Sequence, residues 1–213
     1  MNPAPRPQPR HRWYAAIYDP LISKSGEKKL APIRRFVAGG ASGRVLELGC
    51  GTGANLAFYD WQKVEALVAT DPDPFMLQRA EAKVAALDPA VRAKVTLREV
   101  PAESLPFEDA SFDCIVATLV FCTVADLDRS LAEAYRVLEP GGSLRLAEHV
   151  ASAGFEARVQ RLVQPIYGWI AADCHLNRHT EDAVRAAGFD LEVKDRTSLG
   201  PLYPSFVGVA TKP

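Results

Sequence analysis

Arg44-Val45-Leu46-Glu47-Leu48-Gly49-Cys50-Gly51-Thr52-Gly53-Ala54-Asn55 is the stretch whose reading decides the fold. Val45, Leu46 and Leu48 predict a short buried strand. Gly49, Gly51 and Gly53 follow at every second position; glycine accepts positive φ and lets backbone approach a ligand closely. Ala54 to Tyr59 is expected to open a helix whose free N–H groups and positive dipole end face the turn. Strand, glycine turn and helix N-terminus together make a cradle for a nucleotide. Gly49-x-Gly51-x-x-Ala54 also satisfies the dinucleotide pattern, so an NAD(P)-binding oxidoreductase is a competing class.

A second apolar run, Val64 to Thr70, ends at Asp71. An acid at the tip of the neighbouring strand is placed to accept hydrogen bonds from both hydroxyls of a ribose. The plainer reading of Asp71 is that it opens the turn Asp71-Pro72-Asp73-Pro74.

Outward from this centre the chain alternates. Strands are expected near 44–48, 64–70, 94–100, 113–118 and 143–149, with helices near 53–61, 74–87 and 125–138. Asp73 as N-cap with Pro74 at the first helical position is a good helix opening. Such alternation predicts an α/β fold, doubly wound, with a mostly parallel sheet covered on both faces. Upstream, His11 to Leu21 and Glu27 to Val37 read as helices, the second stopped by Gly39-Gly40. Helices before the first strand are unlike a dinucleotide domain that begins with it. Downstream, Phe155 to Ile170 keeps a helical spacing that Pro165 is expected to kink or break. Thr180 to Ala187 is a short helix closed by Gly188. Leu191 to Asp195 and Ser205 to Thr211 complete seven strands, and the short link between these two predicts antiparallel pairing.

The chain has 213 residues, a net charge of −1 and 48% hydrophobic residues, which fits one globular domain with a sizeable core. No basic surface for nucleic acid is indicated. Four separated cysteines at 50, 114, 122 and 174 read as reduced cytoplasmic thiols rather than a disulfide framework. No leader peptide or membrane-spanning run is read. Residues 1–10 read as a disordered Pro/Arg-rich arm. Within the first twelve residues, Arg6, Arg10, His11 and Arg12 suit a weak contact with anionic lipid, as in peripheral membrane association, or with substrate.

Glu47-x-Gly49-x-Gly51-x-Gly53, Asp71 and Leu138-Glu139-Pro140-Gly141-Gly142, taken in this order, resemble the class I S-adenosylmethionine-dependent methyltransferases. Ala102 to Phe107 with Asp109 to Asp113 is similar to their quinone and sterol branch. A narrower likeness rests on Gly49 to Asn55, Thr118 to Cys122, Glu148-His149-Val150 and Asp173-Cys174-His175-Leu176-Asn177-Arg178. These look like the thiol methyltransferases of animal endoplasmic reticulum. Those relatives carry an N-terminal membrane anchor where this chain has the Pro/Arg arm.

The resemblance implies a Rossmann-like methyltransferase domain over 11–213. It would comprise a helical lid at 11–39, a cofactor-binding core at 40–150 and substrate-side helices and last strands at 151–213. It implies S-adenosyl-L-methionine as cofactor. Glu47 would hold the methionine end, directly or through the loop, with Gly49, Cys50, Gly51 and Gly53 lying against it and Thr118 and Leu119 nearby. Asp71, beside Pro72, would hold the ribose, and Phe75 or Met76 would cover the adenine. The Ala102 N–H and the Glu103 carboxylate are expected at the adenine edge, and Tyr18, in a Tyr-Asp pair, at the methionine carboxylate.

The implied reaction moves a methyl group from a sulfonium to a nucleophile. His149, His175 and Asp173 are the candidate catalytic groups at the mouth of the pocket, with a packing role as the plain alternative for each histidine. A thiol, which ionises easily, asks little of them; a phenol or carbon acid asks more. Cys174, His175 and His179 match no strong zinc spacing, so no metal is expected. The expected acceptor is a small, apolar or lipid-like molecule, a hydrophobic thiol first, then a phospholipid amine or a quinone-type ring.

Overall fold

The computed structural model describes residues 24–152, 154–170, 174–200 and 202–213, with backbone alone for 24–28 and 165–170. Helix α1 (Lys24–Val37) leads to β1 (Gly43–Leu48) and β2 (Val64–Thr70). Then come α2 (Pro74–Ala85), the single turn α3 (Pro89–Arg92), β3 (Val95–Arg98), β4 (Phe112–Thr118), α4 (Leu127–Val137) and β5 (Leu138–His149). Helices α5 (Gly154–Ile170) and α6 (Thr180–Ala186) precede β6 (Asp190–Ser198) and β7 (Pro204–Thr211).

The seven strands form one sheet in the order β3-β2-β1-β4-β5-β7-β6. Strands β1 to β5 pair in parallel. Strand β7 runs antiparallel to both β5 and β6. The mostly parallel α/β sheet with an antiparallel last strand is therefore as expected. Side-chain alternation explains why it is covered on both faces. Val45, Cys114 and Val116 pack with Leu30, Ile33 and Val37 of α1 and Leu77 of α2. Leu46, Leu48, Ile115 and Ala117 point the other way, onto Leu131 and Ala134 of α4 and Val184 of α6. Each such buried leucine or isoleucine contributes about 1.5–3 kcal/mol.

Chain order reverses between β1 and β4, and open α/β sheets bind ligands at that switch point, beyond the carboxyl ends of the strands. The glycine turn after β1, Asp71 after β2 and the segment after β4 therefore converge there. Helix α2 starts as predicted: Asp73 caps it, Oδ1 accepting from Phe75 N at 2.8 Å, with Pro74 following.

Several expectations are corrected. No helix follows the glycine turn; residues 51–58 form successive turns. Gly53, Leu56 and Phe58 N–H groups donate to carbonyls only three residues back. Gly49, Gly51 and Gly53 hold φ of +57°, +55° and +74°, outside the right-handed helix, and Asn55 is drawn inward by the polar network described below. The helix dipole therefore plays no part in the cradle. Strand β5 begins at Leu138 rather than near 143: Glu139 to Gly142 bulge between the Phe112–Leu138 and Cys114–Ser143 pairs. Gly141 N and Lys212 O hold the bulge at 2.8 Å. Helix α5 continues through Pro165, losing one N–H donor without ending. Within 11–39, α1 packs on the sheet, with its Val37 fully buried. The helix expected over 11–21 lies outside the described residues.

Candidate active site

Glu47 sits on β1 one residue before its end, on the face shared with α1, and is 1% exposed. Its Oε1 accepts from Asn55 Nδ2 at 2.9 Å and its Oε2 from the Tyr59 hydroxyl at 2.8 Å. Asn55 Nδ2 also reaches Thr118 Oγ1 at 3.2 Å, and Asn55 Oδ1 accepts from Arg34 Nη1 at 2.8 Å. One buried acid thus ties the glycine turn to α1 and to the tip of β4. Burial pushes its carboxyl up to about 7 against the pull of the Tyr59 and Asn55 donors. Of the two roles open to Glu47, the geometry matches holding the loop.

Asp71 is 8% exposed; its Oδ2 accepts from Gly51 N at 2.8 Å and its Oδ1 from Asp73 N at 2.9 Å. It opens the Asp71–Pro74 turn and anchors the glycine loop at once, and each oxygen retains a second lone pair. Burial pushes this carboxyl up to about 6. The glycines differ in what surrounds them. A Cβ on Gly49 would lie 2.8 Å from Val120 Cγ2, and one on Gly53 would lie 2.9 Å from Leu56 Cδ1. A Cβ on Gly51 would meet nothing within 4 Å. Gly51 alone of the three faces open space, as a residue lying beneath a ligand must.

Just after β4, Leu119 adopts φ +58°, a strained value for a branched-chain residue, with its N–H held on Ala147 O at 2.8 Å. Ala102 and Glu103 are both buried. Glu103 Oε1 accepts from Ala125 N at 2.7 Å and from Asp126 N at 3.3 Å, ahead of α4. Its Oε2 is buried without a hydrogen-bond partner. A buried acceptor left unpaired is costly, and a ligand amino group would relieve it. Cys50 and Met76 are buried and Pro72 half-buried beside the turn.

His149 is enclosed, whereas His175 is half-buried. His149 is 1% exposed: its Nε2 lies 2.9 Å from His175 O, Cys174 Sγ lies 3.8 Å from its Nδ1, and Tyr203 packs edge-on against the ring. His175 N and Nδ1 both address Cys122 O, at 2.8 and 3.3 Å. The exposure expected of His149 fails because β5 runs on into the sheet interior, beside β7, before it ends. Asp173 and Tyr18 lie outside the described residues.

Two residues that entered the sequence analysis only as part of the family likeness, with no role assigned, do much of the positioning. Glu148, fully buried, accepts from the amides of Val120, Phe121 and Cys122 at 2.8, 2.9 and 3.2 Å. Burial pushes its carboxyl up while those donors oppose the shift. Arg178 donates to the carbonyls of Phe121 and Val124 from the other side. The segment after β4 is therefore gripped by its amides and its carbonyls. An acid at the end of an otherwise apolar strand was the signal available for Glu148. All four cysteines are free and buried. Among the described residues no helix is long and apolar enough to cross a membrane.

The region 46–146 matches the methyltransferase domain family. Thiol S-methyltransferase TMT1B from Homo sapiens is 32% identical over 210 residues, 92% of this chain and 84% of that protein. Its counterpart from Rattus norvegicus is 35% identical over 147 residues, which is 68% of this chain but only 59% of that protein. Phosphatidylethanolamine N-methyltransferase from Cereibacter sphaeroides is 32% identical, with 89% of each chain covered. Among solved structures, a phosphoethanolamine N-methyltransferase from Haemonchus contortus, holding S-adenosylhomocysteine, superposes with a TM-score of 0.67. It is 19% identical, with 88% of this chain and 52% of that one covered, a likeness of fold. These matches set aside the NAD(P) oxidoreductase: with its glycine turn, its strand order and its relatives, the chain belongs to the class I S-adenosylmethionine-dependent methyltransferases.

Proposed function

We propose that the chain moves the methyl group of S-adenosylmethionine onto a small hydrophobic thiol. The residues suit the cofactor: Gly51 faces open space, Asp71 keeps acceptor capacity for a ribose, and Glu103 Oε2 lacks a partner. Gly49 and Gly51 would lie along the methionine end, with Thr118 and Leu119 opposite. When bound, the cofactor would supply a methyl group activated by its sulfonium, open to displacement by a thiolate sulfur with the electron pair left on the departing sulfur. The chain's task is alignment and exclusion of water. Glu47, Asn55 and Tyr59 set the glycine turn, and Glu148 with Arg178 sets the wall after β4.

The observation that carries the acceptor class is the commitment of His149. A ring 1% exposed, with Nε2 held by a carbonyl, is poorly placed to take a proton from an acceptor. An acceptor that sheds its own proton into solvent fits such a site, and a thiol does so far more readily than an alkylammonium or a phenol. The kinship with thiol S-methyltransferases points the same way.

A phospholipid amine is the second reading. The kinship with the bacterial lipid enzyme favours it, as do Phe155 and Leu162 on α5. Two turns apart and 78% and 80% exposed, these share a face suited to an apolar surface. A competition between an alkyl thiol and phosphatidylethanolamine vesicles at equal acceptor concentration, with methyl-labelled cofactor, tests the choice. Label in the thioether is expected; label in the lipid alone overturns the thiol reading.

A further inference from the structure

We propose that Cys122, His149 and Cys174 bind a thiolate-preferring divalent cation of the zinc class, as three protein ligands with one position left for a small sulfur or oxygen ligand. Their ligand atoms all lie within 4.8 Å of one another, although the residues come from three separate places in the chain. Cys122 follows β4, His149 ends β5, and Cys174 lies between α5 and α6. On a tetrahedral zinc ion, with bonds of about 2.3 Å to sulfur and 2.0–2.1 Å to nitrogen, neighbouring donors sit roughly 3.5–3.8 Å apart. Cys174 Sγ lies 3.8 Å from His149 Nδ1 and 3.6 Å from its Nε2, so an ion held on Nδ1 needs the sulfur to turn toward that nitrogen.

The tautomer is right for it. His175 O can only accept, so His149 Nε2 carries the hydrogen, and in the neutral ring that leaves the lone pair on Nδ1. A carbonyl on the far nitrogen is the usual partner of a metal-binding imidazole, orienting the ring and raising its basicity. The loop bearing Cys122 is fixed in advance by Glu148 at its amides and by Arg178 and His175 N at its carbonyls. Two sulfurs and one imidazole select zinc-like ions over magnesium or calcium. Two thiolates also cancel the charge of a divalent ion, so a site whose residues are 1%, 1% and 9% exposed would enclose no net charge. The spacing 122, 149, 174 resembles no short metal motif, which is why the sequence conceals it.

The test reads the metal and not methyl transfer, so its outcome is independent of the acceptor. The full chain, reduced and kept anaerobic, is titrated with cobalt(II). Thiolate-to-cobalt absorption saturating at one ion per chain and displaced by zinc(II) is expected. Cys122→Ser and Cys174→Ser should each weaken binding by more than the roughly 10–100-fold that loss of an outer partner costs. Cys114→Ser, at a buried cysteine of β4 that faces Ser143 of β5, should leave it unchanged. Should a serine variant misfold, X-ray absorption on the zinc-loaded wild type decides, with two sulfur neighbours expected. The proposal is overturned by absent cobalt absorption, by absorption that survives both serine changes, by a zinc environment without sulfur, or by a Cys122–Cys174 disulfide in the reduced preparation.

Discussion

Replacing Glu47 by glutamine separates what its charge costs from what its shape holds. The carboxyl ionises at about 7 in the folded chain against 4.5 when unperturbed. At about 1.36 kcal/mol per pH unit, keeping it ionised costs the fold about 3 kcal/mol. The sign follows from linkage. A pKa raised on folding gives stability that is complete below 4.5 and lost as the pH rises through 7. Glutamine has no such dependence. Its oxygen can still accept from Asn55, and its amide can donate to the Tyr59 oxygen, so the turn keeps both ties. Urea unfolding of both proteins at several pH values measures the effect. Trp61, whose ring lies 5.4 Å from Tyr59, is a reporter close to the change. The stability of Glu47→Gln minus that of wild type should climb by about 3 kcal/mol between pH 4.5 and 8. Taking the difference removes titrating groups that do not interact with Glu47. A difference that stays flat, or falls with pH, would refute the account of a desolvated carboxylate.

Asp71→Asn should weaken S-adenosylmethionine binding by on the order of 1.5–3 kcal/mol, as for hydrogen bonds to a charged group. Because Asp71 ionises at about 6, wild-type affinity in calorimetry should fall as the pH drops through that value, and the variant should lose this dependence. Gly51→Ala meets no atoms but must hold a positive φ at about 1–2 kcal/mol, so it should fold yet bind cofactor poorly. Gly49→Ala adds a collision with Val120 and should lower the melting temperature further. Glu148→Ala strands three amides at roughly 1–3 kcal/mol each, so a loss of at least about 3 kcal/mol is expected. Glu148→Gln should recover most of it, since Oε1 alone serves Val120 and Phe121.

The sheet was legible because local pattern and tertiary environment agree. Val45, Leu46 and Leu48 alternate between two apolar layers, and Asp73-Pro74 caps a helix by its own chemistry. The segment after Gly53 was misread because Ala54 to Tyr59 is helical only by local preference. What overrides that preference is Glu47, several residues upstream, pulling Asn55 and Tyr59 inward. Asp71 was recognisable by position, but its grip on Gly51 N depends on strand adjacency. His149 looked accessible because strand ends commonly are. Its enclosure depends on β7 and Cys174, contributed much later in the chain. The same separation hid the meeting of Cys122 with Cys174.

Strand β7 pairs on one side with β5 and on the other with β6, so the last strand of the seven to leave the ribosome is an interior one. Until it arrives, β5 presents an open hydrogen-bonding edge from Ser143 to His149, and β6 has no neighbour at all. Unpaired edges of this kind recruit other chains. A nascent chain stalled before Pro204 would carry a nearly complete glycine turn and Asp71 on a sheet unable to close. Folding should therefore finish in one late, cooperative step, and losing the final ten residues should cause aggregation rather than a partly active enzyme.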